Sequence, residues 1–204
     1  MHKLVVLAVA GVIALSTAAL GQQQGPPLTP VSGTVATVSD TEVDITQADG
    51  TTAKVMLGDK ARFALVSPVA LTDIKAGSFV GVGAMTQADG SNSAMQITVF
   101  PADFPGNKRS FHSGWNQGPN STMTNGTVSE AQVTGASGQA ITVTYDGGQQ
   151  VINVPASATI TTFAPADKTA LVVGAHVSIR AFKADDGTLT AQFVSIGKDG
   201  FAPK

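Results

Sequence analysis

The sequence predicts an all-β protein: two tandem small five-stranded barrels of the OB-like kind, following an N-terminal signal peptide. Three observations predict it. Apolar and polar residues alternate at a period of two between Asp-Gly turns, and the same plan returns later at a constant offset. Charged residues make up only 13% of the 204 residues, too few for the wet faces of surface helices.

Residues 1–21 read as a signal peptide. His2-Lys3 form a short basic start, Leu4 to Leu20 an apolar run, and Ala19-Leu20-Gly21 a small-residue cleavage site before Gln22. The alternative is an uncleaved N-terminal membrane anchor. Residues 22–30 (QQQGPPLTP) form a flexible lead-in.

The first module spans 31–100. Val43 and Ile45 alternate with Asp44 and Thr46, Asp49-Gly50 turns the chain, and Val55 and Leu57 continue the period. Leu71 and Ile74, three apart and followed by Gly77, predict a short helix between strands three and four. Val80 and Val82, the Asp89-Gly90 turn, and Ile97 and Val99 close the module. The turn aspartates are expected to tolerate positive φ and to cap their own turns.

The second module spans 126–197. Gly33 corresponds to Gly126 at an offset of 93, and Asp49 to Asp146 at 97. The offset of 97 then carries Gly77 to Gly174, Val80 to Val177, Asp89 to Asp186 and Ile97 to Val194. The extra residues predict a longer first hairpin around Thr134 to Gly138. Three strands, a short helix and two strands is the order of an OB-type barrel. An open β-sandwich is the alternative.

The segment 101–125 belongs to neither copy, and residues 198–204 form a C-terminal tail. The segment holds the single Trp, Trp115, with Phe104, Phe111 and Met123. These are too apolar to stay in water, so it is expected to pack in the groove between the modules.

These features resemble the DUF5666-type exported β-module family, whose activity is uncharacterised. The resemblance is carried by the opening Gly-x-Val, the mid-module Asp-Gly turn, Leu71-Thr-Asp-Ile-Lys-Ala-Gly77 and the closing Asp89-Gly90 stretch. It continues through His112-Ser-Gly-Trp115 and Ser121-Thr-Met-Thr-Asn125, but departs at Asn116, where the related pattern has Asp. It also lacks the glycine-rich run before His112. The resemblance implies fold and export, and supplies no activity.

Chemistry is sparse. With no Cys, disulfides, thiolate catalysis and Cys-bound zinc are excluded. Loss of Lys3 with the signal takes the basic count from 12 to 11 against 14 acidic side chains, a formal net charge of −3. That balance argues against nucleic acid. No later apolar run is long enough to cross a membrane. A hydrolase would need His112 oriented by a carboxylate beside Ser110 or Ser113, without any G-x-S-x-G turn around them. A metal site would rest on His112 and Asp103 alone, a thin ligand set. His176 reads as a solvated sheet-face histidine.

The expectation is therefore an exported, non-enzymatic binding or interaction protein of the cell envelope, periplasmic or extracellular, needing no cofactor. Its partner would be a small molecule, a carbohydrate or an envelope protein, held by Arg109, His112, Trp115 and Asn116. The alternative is a hydrolase or metal-binding protein using His112.

Overall fold

The computed structural model describes residues 28–104, 108–134 and 138–203. The signal peptide and the start of the lead-in lie outside the described residues. These residues hold thirteen strands in one sheet and no α-helix. The strands are β1 (Leu28–Val38), β2 (Glu42–Thr46), β3 (Thr52–Met56), β4 (Arg62–Pro68), β5 (Phe79–Thr86), β6 (Asn92–Val99) and β7 (Phe111–Gly114), then β8 (Ser121–Thr134), β9 (Gly138–Tyr145), β10 (Gly148–Val154), β11 (Thr159–Ala166), β12 (His176–Lys183) and β13 (Leu189–Gly197).

The Asp-Gly turns fold the hairpins, with a refinement. Positive φ falls on Gly50, Gly90 and Gly187, not on the aspartates. Asp49, Asp89 and Asp186 instead accept the backbone N–H two residues on, from Thr51, Ser91 and Thr188, each at 2.9 Å. The glycine thus meets the backbone demand, and the carboxylate holds the returning strand.

The sheet closes on itself twice. One ring runs β1–β2–β3–β13–β12 and back to β1; its β3–β13 contact is parallel, with Leu189 opposite Val55. The other runs β8–β9–β10–β6–β5 and back to β8, with β10 parallel to β6 and Ile152 opposite Asn92. Register shifts at Val35/Thr37 and Arg180/Ala181 in the first ring are matched at Val128/Glu130 and Gly83/Ala84 in the second. Such bulges add the local twist that closing a short sheet requires.

Each ring draws strands from both halves of the chain, so the stretches 31–100 and 126–197 exchange their last two strands. β4 lies parallel to β13 of the first ring and antiparallel to β11, which in turn lies parallel to β6 of the second. The antiparallel β4–β11 ribbon carries the chain from one ring to the other. The expected pair of separate barrels is thereby one continuous sheet.

Two cores fill the rings. Val43, Ile45 and Val55 pack with Ile179, Val194 and Ile196 in the first. Val80, Val82 and Ile97 pack with Ile141, Val143 and Ile152 in the second. The inward set expected from period-two parity is buried throughout, except that Val99 is only partly covered.

The expected short helix between strands three and four is a single 3-10 turn, Leu71–Asp73, paralleled by Lys168–Ala170. Extended residues flank each turn, leaving too few positions to nucleate an α-helix. Asp73 accepts the Ala70 N–H at 3.0 Å, and Asp167 accepts that of Thr169 at 2.8 Å. Behind each turn one apolar side chain enters a core, Ile74 in the second ring and Leu171 in the first.

The segment 101–125 is not a free linker. It contributes β7, and β8 already begins at Ser121. Leu28–Pro30 of the lead-in pair with β12, and the C-terminal tail folds back so that Pro203 is buried. The long β8–β9 hairpin accounts for the change of offset, though its tip at 135–137 lies outside the described residues.

Candidate ligand-binding cleft

The residues expected at the junction sit against one ring only. β7 pairs with β8, which places His112 opposite Thr124; His112 Nδ1 and Thr124 Oγ1 lie 2.8 Å apart. The imidazole stacks on Tyr145 with centroids 5.3 Å apart. Trp115 lies half-buried over Gly83 of β5. Arg109 and Asn116 are exposed. Ser110 Oγ accepts the Asp146 N–H at 3.0 Å, and Ser113 is exposed. The imidazole partners are thus a hydroxyl and a phenol ring, where a hydrolytic triad needs a carboxylate. Among the described residues no three His, Cys, Asp or Glu side chains gather as a metal site. His176 is half-buried, with Nδ1 3.1 Å from Thr34 Oγ1.

The concave site between the rings is built by other residues. Where β11, β4, β13 and β12 run side by side, their outward faces and the stretch 100–104 after β6 form a cleft of about 780 Å³, within the usual size of ligand pockets. Five of the nine phenylalanines line it: Phe100, Phe104, Phe163 and Phe193, together with Phe63, which packs against the first core from the inward side of β4. Phe100 meets Phe163 edge-on at 5.4 Å and Phe104 at 5.5 Å, while Phe104 and Phe163 lie 5.2 Å apart. Such edge-to-face contacts fix the rings without hiding their outer edges. Among the described residues of segment 101–125, Phe104 alone lines this groove.

Charge in the cleft is one-sided. Arg62 and Arg180 line it, and no described lining residue is a carboxylate. Arg62 lies over the Phe193 ring, its guanidinium carbon 5.8 Å from the centroid. Beyond Phe163 the groove continues past Gln96, Thr98, Thr159 and Thr161, so an apolar end grades into a hydroxyl-rich one.

The shifted carboxyls lie away from this cleft. Asp49 is held below the usual carboxylate range chiefly by the Thr51 hydroxyl, then by its backbone N–H. Asp89 and Asp186 are lowered first by the backbone N–H of Ser91 and Thr188. Asp167 is lowered chiefly by the Thr169 hydroxyl. On β2 and β3, Lys54 is raised mainly by its hydrogen bond to Glu42, at 2.7 Å. All are turn or surface groups whose shifts come from local hydrogen bonds.

Parity could have flagged the cleft. Phe193 alternates with inward Val194, and Phe100 follows inward Val99, so both large apolar side chains point outward. Arg62 and Phe163 carried no such signal, because only the pairing of β4 with β11 and β13 brings them to the same face. The chain matches no family model, no curated protein and no solved structure.

Proposed function

We propose that this is an exported, non-enzymatic binding protein of the cell envelope, composed of two DUF5666-like modules, and that the inter-ring cleft is its site. Each ring follows the order 1-2-3-5-4-1 with a parallel contact between strands three and five, which supports the OB-type reading. The repeated register shifts and turn glycines support a duplicated module.

One observation carries the binding role: four phenylalanines, Phe100, Phe104, Phe163 and the 43% exposed Phe193, share a concave face where two rings meet. A contiguous apolar patch in a concave site, unlike a single exposed side chain, is the usual mark of a binding groove. The site fits a small molecule with an apolar body.

Thermal-shift screening of the mature chain against apolar small molecules, beside Phe193→Ala, tests this. Stabilising compounds should lose their effect in the variant, which sits outside both cores. Hydrolytic turnover abolished by His112→Ala would overturn the non-enzymatic reading. The mass of the exported protein decides the export step, since retention of residues 1–21 would mean an anchor.

A further inference from the structure

We infer that the cleft takes an amphiphilic organic anion, its acid group between Arg62 and Arg180 and its apolar body against Phe100, Phe163 and Phe193. This rests on the reading of the cleft as the binding site and adds the charge of its ligand.

The pairing register aligns one row across three strands. Arg180 is opposite Phe193, and Phe193 is opposite Arg62. Two strand spacings separate the arginines, roughly 10 Å at the backbone. Both are exposed, and neither has an ion-pair partner among the described residues. Two like charges facing one cleft repel, and an anion between them converts that repulsion into two attractions. Contact with the Phe193 ring, 5.8 Å from the Arg62 guanidinium carbon, keeps that cation over the row, where its N–H groups can make a forked contact with a carboxylate or sulfonate.

The other ring supplies an internal control. Its matching row is Gly83–Gln96–Thr159, uncharged and covered at Gly83 by Trp115. Closing a ring therefore does not require the Arg–Phe–Arg row. It is present on one side only, the side that opens onto the aromatic cup.

Two fluorescent probes of similar apolar body separate the claims: 8-anilinonaphthalene-1-sulfonate, an anion, and N-phenyl-1-naphthylamine, which is neutral. Titrated into the folded mature chain, the anion should bind one-to-one and more tightly. The double variant Arg62→Gln/Arg180→Gln should weaken it about tenfold or more, with the neutral probe nearly unaffected. High ionic strength should weaken the anion selectively. Phe193→Ala should weaken both probes.

If the arginine variant leaves anion affinity unchanged while Phe193→Ala still weakens both, the anion inference fails and the binding cleft stands. If Phe193→Ala changes neither probe, the cleft reading fails with it. Near-ultraviolet circular dichroism confirms that each variant remains folded, and both arginines lie outside the cores, so loss of binding is not loss of fold.

Discussion

Gly83 lies directly beneath the Trp115 ring: a Cβ at that position would stand 2.8 Å from Cη2 and 3.1 Å from Cε3. Only a bare backbone lets the indole lie flat on β5. Gly83→Ala should therefore lift the ring, costing about 1–3 kcal/mol if neighbours cannot adjust. Because the protein has one Trp, its emission reads this directly. The native spectrum should be blue of free indole and move red in the variant. An unchanged spectrum would mean that the ring is not seated there.

Strand exchange predicts that the chain can be cut without falling apart. A protease site inserted after Gly118, in the exposed turn between β7 and β8, should yield fragments that co-elute as a 1:1 complex. β5 and β6 of one fragment complete the ring of β8–β10, and β12 and β13 of the other complete that of β1–β3. Fragments that separate without denaturant would show that each copy closes on itself.

Truncating the core should be costly in both rings. Leu57→Ala is expected to lose ~2–5 kcal/mol, and Ile97→Val about 0.5–1.5 kcal/mol, read from urea midpoints. Phe193→Ala on the outer face should change stability far less. A Leu57→Ala midpoint equal to wild type would place that side chain in water.

The turn aspartates set an acid limit. Asp49, Asp89 and Asp186 have folded pKa values lowered from 3.8 by the hydrogen bonds they accept. Their contribution is complete above about pH 4, the unfolded value, and is lost as pH falls through the lower folded values. Urea midpoints of wild type should drop over that interval, and the triple Asp→Asn variant should show a flatter profile. Equal slopes would mean that these bonds do not distinguish folded from unfolded chains.

The inward face of each strand was legible in the chain itself, since Val43 and Ile45, or Val80 and Val82, can bury together only if a period of two places them on one side. Asp-Gly pairs marked the turns for an equally local reason. The candidate site was mostly not legible. Trp115 and His112 are rare residues in an unusual segment, yet both pack on the outside of one ring. Arg62, Phe163 and Arg180 are far apart in sequence and meet only through pairing.

Local pattern alone determined that this protein is all-β, which side chains face inward, and where the chain reverses. Tertiary structure decided which strands close which ring. Val82 and Ile97 present the same apolar face to either set of partners, so period-two alternation is blind to that choice. β4, held between β13 and β11, resolves it by carrying the chain across to the other ring. That crossing brings the outward faces of four strands together, so the cleft exists only through long-range pairing that no local pattern encodes.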